Sequence, residues 1–445
     1  MEVVGNSSTK GFLMGEVMSN KHLIAHIVFE AKTALKVGSS NYDFLQDSPI
    51  MRDWNGLPMI LGTSLAGVLR KSMVEFLKNC GKDDLWEVNE VFGDSCQKGS
   101  KVIFTNALLL DNQNKVYENL LLEKTDFLKL FNILPKRQNT AITEKGVAKD
   151  KSKRDNEVVF AGTRFKFGIE MLCETSEDEK RFFLLLDLLN LLTFRIGSGS
   201  SKGFGAIKIL KISYDEFEVN SKRYVEFANS LNGTQELKRE YCPQECKFEK
   251  YDMYELHLKA ENFFIFGSGG CDDEVDCVGS YEMVLCYQEE NLSEKSKRIL
   301  IPASSIKGAI SHRTTYYYNM ANNEDAKEVR EIFGSEGELE GAKGKILMSD
   351  LYLTNNENQK IFAHNKIDSF RGGVINGALF QEKVESVNEE FKIEIWVERN
   401  IKQEAINAFE NALRDVANGM LALGGLGNKG HGFFSGKVLK NGVEI

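Results

Sequence analysis

The sequence repeats itself, and that repetition constrains the fold more than any other feature. "GTSLAGVL" (62–69) answers "ASSIKGAI" (303–310), and "VFG" (91–93) answers "IFG" (332–334), both at an offset of 241. "LKVGSS" (35–40) answers "FIFGSG" (264–269) at 229, and "GSGSSKGFG" (197–205) answers "GGLGNKGHG" (424–432) at 227. The four matches run in one order, and offsets that drift by only 14 are what loop insertions produce. At 445 residues the chain also exceeds one typical core. Two homologous domains are expected, 1–240 and 251–445, with a junction at 241–250 inside the polar stretch 229–250.

Each copy reads as strand, loop, helix, strands, helix, strand. "HLIAHIVFEAKTALKV" (22–37) is β-branched and partly alternating, hence a strand. Ser64 is placed to cap a helix carrying Leu65, Leu69, Met73, Phe76 and Leu77 at helical spacing, which Gly81 stops. Ser176 and Glu179 make a capping-box pattern ahead of the apolar run 182–194. The matching helix begins near Asn400 and is expected to bury Ile406, Phe409, Leu413, Val416 and Met420. The order predicts an α+β chain of two tandem ferredoxin-like, RRM-like βαββαβ domains.

Charge and composition exclude several classes. A formal net charge of −9 argues against a free-standing nucleic-acid binder held by net charge, though not against local basic loops. The run 182–194 is shorter than a bilayer span and is broken by Asp187 and Asn190, so it reads as a core helix and no membrane role is expected. From the first residues no export signal is expected, and 8 cysteines in so long a chain suit a reducing cytoplasm.

The candidate functional residues fall in three repeated places. The glycine-rich loops present Lys202 and Gly203 in one copy and Lys429, Gly430 and His431 in the other. Glycine lets backbone N–H groups approach a phosphate, and the lysine adds charge. A turn requiring positive φ is the plain reading of one such loop, but two with aligned Lys-Gly pairs favour anion binding. The helix entrances, Gly62, Thr63 and Ser64 with Arg70, and Ser304 and Ser305 with Lys307, offer hydroxyls and free N–H groups. Gly67 and Gly308, one turn inside, cost about 1 kcal/mol each in a helix, which a close approach by RNA or another backbone would explain. The third place is a basic hairpin with Lys145, Lys149, Lys151, Lys153 and Arg154, matched by a segment with Lys366, Phe370 and Arg371. Charged tips are usually solvated surface, but basic and aromatic residues together suit nucleotide bases. Cys242, Cys246, Cys271 and Cys277 are candidate zinc ligands at a spacing that departs from the usual fingers.

With these residues assembled, the chain resembles the RAMP superfamily of CRISPR systems, and more narrowly the backbone subunits of type III effector complexes. "DSPIMRDWNGLPMILGTSLAGVLR" is similar to that family's acid before Ser-Pro, then Arg-Asp, then a Gly-Ser-Ser-Leu-Lys-Gly helix start. "HNKIDSFRGGVINGALFQEKV" resembles its thumb hairpin, and "GSGSSKGFG" its C-terminal glycine-rich loop. The chain looks like two such subunits fused. The resemblance implies that each domain grips CRISPR guide RNA while the thumb displaces a nucleotide of the guide–target duplex. It implies other RAMP subunits and a large subunit as partners. In catalytic members the acid matching Asp47 supports Mg²⁺- or Mn²⁺-dependent cleavage of target RNA. In the second copy Asp276 is the aligned acid and Asp273 the fallback; "DCVGSYEM" lacks the Ser-Pro and Arg-Asp of the first. The alternatives are a subunit that holds guide RNA without cutting, or a guide-processing endonuclease using His431.

Overall fold

A computed structural model describes residues 21–39, 49–82, 85–94, 98–143, 146–219, 221–227, 230–232, 237–246, 250–287, 297–322, 326–335, 341–354 and 358–445. The main elements of the first half are β1 (Lys21–Ala31), α1 (Gly62–Asn79), β2 (Val102–Phe104), β3 (Ala107–Leu109), β4 (Lys136–Asn139), β5 (Arg154–Glu157), β6 (Arg164–Cys173), α2 (Ser176–Leu188) and β7 (Ile207–Glu218). Those of the second are β8 (Tyr251–Ala260), β9 (Tyr281–Met283), α3 (Ala303–Asn322), β10 (Ile346–Met348), β11 (Gln359–His364), β12 (Phe380–Glu385), β13 (Phe391–Glu398), α4 (Gln403–Ala417) and β14 (Phe434–Lys440).

The halves share one antiparallel topology. In the first, β1 lies between β6 and β7, and β2 and β3 pair with the far side of β6. In the second, β8 lies between β13 and β14, and β10 pairs with the far side of β13. A mixed α+β chain with this strand order is compatible with ferredoxin-like folds. Each half also carries a separate two-stranded hairpin, β4–β5 and β11–β12.

Each sheet has its own core. Leu65, Leu69, Met73 and Leu77 of α1 and Phe182, Leu185 and Leu186 of α2 share a buried cluster with Ile27, Phe29, Phe165 and Phe167. Ile306 and Ile310 of α3 and Phe409, Leu413 and Val416 of α4 share another with Tyr254, Leu256 and Ile395. Met420, expected inside, lies one turn past α4 and is 66% exposed.

The helix starts differ from the sequence reading. α1 begins at Gly62 and receives no side-chain cap from Ser64, which sits within its first turn. Asn106, just before β3, accepts from the Gly62 N–H at 2.9 Å instead. Asp350 does the same for the Ala303 N–H of α3, also at 2.9 Å. The capping box of α2 is Thr175 with Asp178, one residue earlier than Ser176 with Glu179.

The hydrogen-bond register fixes which residues of the two copies correspond. Leu35 pairs with Val159 as Phe264 pairs with Glu385, and Gly38 pairs with Ile50 as Gly267 pairs with Gly279. The stretch from Gly38 to Ile50 is therefore as long as that from Gly267 to Gly279, and Asp276 is the counterpart of Asp47 by count. The extra residues of the second copy come after β9. There Val284 pairs with Ala161, and Leu285 enters the first core.

Candidate nucleic-acid interface

The two copies meet through the first copy's hairpin root and glycine-rich loop. Arg137 of β4 is 9% exposed. Its guanidinium donates to both carboxylate oxygens of Glu282, to Asp350 Oδ2 and to the Tyr352 hydroxyl, and it lies 4.7 Å from the centre of the Phe204 ring. Arg195, 4% exposed, donates to the Met348 carbonyl at 2.7 Å and to Ser349 Oγ at 2.9 Å. Burial pushes the Arg195 guanidinium down to about 10. Gly203, predicted to cradle a phosphate, is pressed into this joint: a Cβ there would stand 2.0 Å from Asp350 Oδ1 and 2.9 Å from the Ala303 methyl. Its role is close packing of the copies, and the sequence motif alone does not separate the two uses.

Beside the joint, lysines from both copies converge. Burial, then repulsion from Lys202 and Lys343, pushes the Lys307 ammonium down to about 8. Lys343 is also lowered, first by burial, and donates to Ser200 Oγ at 3.2 Å. Among the described residues neither Lys202 nor Lys307 has a carboxylate partner. Like charges held together without acids raise one another's free energy, and an anion relieves it. Lys307 lies in the first turns of α3, beside Ser304 and exposed Ser305, where the helix end adds its own attraction for negative charge. Lys343 was missed by the sequence reading because it lies in neither repeated motif.

The second copy's loop is arranged differently. Glu382 of β12 is fully buried and accepts from Lys429 Nζ at 2.7 Å, His431 Nε2 at 2.8 Å and His364 Nε2 at 3.0 Å. Burial alone would raise the Glu382 carboxyl, but these three donors hold it below its ordinary value. Lys429 and His431 therefore tie the loop to the hairpin root. Gly430 alone stays open, with nothing within 4 Å of where a Cβ would sit. Gly67 and Gly308 are open in the same way, so no backbone among the described residues explains them. Gly197 and Gly424 are turn glycines: both have positive φ, and a Cβ on either would stand 2.4 Å from a backbone carbonyl, of Lys36 or of Ile265.

The remaining predicted residues are dispersed. Thr63, Ser64 and Arg70 are exposed on α1, and Arg70 donates to Asn89 Oδ1 at 3.0 Å. Lys149, Lys151, Lys153 and Arg154 are exposed on the first hairpin, and Lys366, Arg371 and Phe370 (95% exposed) lie at the tip of the second. Lys145 and Asp47 lie outside the described residues. Asp276 and Asp273 are exposed; Asp276 Oδ2 accepts from the Gln381 N–H at 2.8 Å, fixing its loop to β12. The four candidate zinc ligands do not gather. Cys246 packs against the first core and Cys277 pairs with Glu382, and among the described residues no three His, Cys, Asp or Glu form a group that could hold a metal ion. No described helix is long and apolar enough to cross a membrane.

The model of the RAMP superfamily matches residues 28–208 and 290–435, one region in each copy. No curated protein matches the chain.

Proposed function

This chain belongs to the RAMP superfamily, and from that premise we propose that it is a guide-RNA-binding backbone subunit of a type III CRISPR effector, built as two fused RAMP domains. The observation that carries the reading is the convergence of Lys202, Lys307 and Lys343, to which both copies contribute, with Lys202 and Lys307 lacking a carboxylate partner among the described residues. A phosphate chain crossing from one copy to the other satisfies it, and the entrance of α3 with Ser304 and Ser305 lies on the same path. The hairpins β4–β5 and β11–β12 are the thumbs. Their basic tips, and Phe370 with its ring in solvent, are suited to part a base pair and displace a nucleotide of the target strand.

Target cleavage is assigned to Asp47, which precedes α1 in the sequence. A displaced nucleotide can bring its own 2′-oxygen into line with the neighbouring phosphate, so the protein need only position the strand and aid proton removal. Mg²⁺ or Mn²⁺ would supply positive charge at that phosphate. The assignment does not extend to the second copy, where Asp276 engages the Gln381 N–H and, among the described residues, stands in no group of three ligands. The guide-processing reading through His431 is disfavoured because that imidazole is buried against Glu382. Other RAMP subunits and a large subunit are the expected neighbours.

The test is cleavage of complementary RNA by the complex reconstituted with guide RNA and Mg²⁺, comparing the wild type with Asp47→Ala, Asp276→Ala and the double variant. Loss of one discrete cut with Asp47→Ala, at unchanged target binding, is expected. If all four proteins cut alike, the chain is a binding scaffold.

A further inference from the structure

Each copy has a donating face and a receiving face, and the internal joint uses one of each. The first copy donates its hairpin root and glycine-rich loop, through Arg137, Arg195 and Gly203. The second receives them with Glu282, Asp350 and Tyr352. Such a joint is head-to-tail, so it leaves over the donating face of the second copy and the receiving face of the first.

The strand register names the residues on those two faces. Val159 answers Glu385, and Arg137 lies across from Asn156 as Phe362 lies across from Glu382, so Phe362 stands for Arg137. In the same register Ile361 stands for Lys136 and Phe380 for Arg154. The aligned loops set Ala422 for Arg195 and Gly430 for Gly203. On the receiving side, Arg52 pairs with Pro58 as Tyr281 pairs with Ile299, which sets Asp53 for Glu282 and Trp54 for Met283. Asn106 stands for Asp350, since each accepts from the first N–H of its helix, and Leu108 stands for Tyr352.

The replacements on one leftover face match those on the other. On the donating side, Lys136, Arg137 and Arg154 give way to Ile361, Phe362 and Phe380. On the receiving side, Asp350 gives way to Asn106, and Tyr352 to Leu108, which packs with Leu231. Asp53 remains an acid but turns Oδ1 onto the N–H groups of Asn55 and Leu57, at 2.8 and 2.9 Å. An arginine buried without its acids, or acids buried without their arginine, is unfavourable, and neither arises when these two faces meet.

Trp54 supplies an anchor. Its counterpart Met283 packs against the first core at the internal joint, whereas Trp54 is 62% exposed. Beside Trp54, the Asn55 side chain donates to the Asn119 carbonyl at 3.1 Å and accepts from the Leu121 N–H at 2.8 Å, which sets exposed Leu120 and Leu122 nearby. Arg52 donates to the Phe131 carbonyl at 2.7 Å and brings exposed Ile133 to the same side. Apolar side chains gathered in solvent around a tryptophan mark a docking surface. On the other face Gly430 is open where Gly203 is filled by its neighbour, since nothing lies within 4 Å of a Cβ there.

We propose that the second copy's hairpin root docks on the Trp54 face of another molecule of this chain, so that chains stack head to tail through an apolar version of the internal ionic joint. The inference rests on the reading of the chain as a backbone subunit and names that subunit's neighbour.

The experiment is sedimentation velocity of the full chain without RNA across the micromolar range, with guide-RNA binding measured in parallel. The mass of the wild type should rise with concentration in steps of 50.2 kDa and continue past the dimer. Trp54→Asp and Phe362→Arg should each remain a single chain, and Ile361→Lys, at an exposed position, should weaken assembly at least tenfold. Each variant spoils one face and keeps the other, so an equimolar mixture of Trp54→Asp and Phe362→Arg should form dimers that grow no further. Adding Asn106→Asp to Phe362→Arg recreates the internal pairing and should recover at least tenfold in affinity. A wild type that stays a single chain, a dimer that stops growing, or assembly that survives both Trp54→Asp and Ile361→Lys overturns the proposal. A chain that binds guide RNA yet stays single refutes the stacking alone; one that stacks yet binds no guide RNA contradicts the RNA-binding reading and leaves the stacking standing.

Discussion

Glu385 should make the protein's stability depend on pH in a predictable direction. Burial raises its carboxyl from 4.5 to about 7, because among the described residues no cation or hydrogen-bond donor offsets the loss of water. The folded state then holds a proton that the unfolded chain releases. This stabilising proton uptake is fully present below pH 4.5 and is lost as pH rises through 7. Each pH unit of displacement corresponds to 1.36 kcal/mol, so at pH 8 the ionised carboxylate should cost about 3 kcal/mol relative to its protonated form. Glu385→Gln keeps the shape and removes the titration. In urea unfolding the variant should match the wild type at pH 4 to 4.5 and exceed it by about 3 kcal/mol at pH 8. Gln359, Lys383 and Tyr281, its neighbours on the hairpin and beside Gly279, are common to both proteins and cancel in the difference. A gap that is the same at both pH values would refute the reasoning, because it would mean that the carboxyl is solvated or paired in solution.

Other expected outcomes concern the joint and the loops. Arg137→Ala strands Glu282 and Asp350 without their cation in a buried place, and should cost about 3–5 kcal/mol in chemical denaturation. Gly197→Ala and Gly424→Ala each force a Cβ against a carbonyl at positive φ, and should each destabilise by more than about 1 kcal/mol. Phe370→Ala lies in solvent at the hairpin tip; it should leave the melting temperature unchanged while weakening binding of complementary target to the guide-loaded complex.

The repeated architecture was legible because the residues that mark it are needed by the backbone. Gly197 and Gly205, with Gly424 and Gly432, sit where positive φ and close carbonyls exclude any side chain, so the motif is written in both halves. The entrances of α1 and α3 were legible for the same reason, but not their caps, since Asn106 and Asp350 reach them from elsewhere in the chain. The joint was not legible: Arg137 and its partners Glu282 and Asp350 are far apart in sequence, and no local pattern announces the pairing. Lys429 and Lys202 look alike in the motif but differ in the fold, because only the first has Glu382 within reach. That Glu385 stands where the first copy has Val159 emerges only from comparing the two copies position by position, which requires the strand register.

The measurement that bears most directly on the account is the salt dependence of guide-RNA affinity for the wild type and for the variant with Lys202, Lys307 and Lys343 all changed to Ala. If a phosphate chain crosses the seam, the variant should bind at least tenfold more weakly at low salt. Its slope of log affinity against log salt should be shallower by about 2, the contribution of three phosphate contacts to single-stranded RNA. Equal affinity and equal slope for the two proteins would contradict the claim that both copies hold one RNA there.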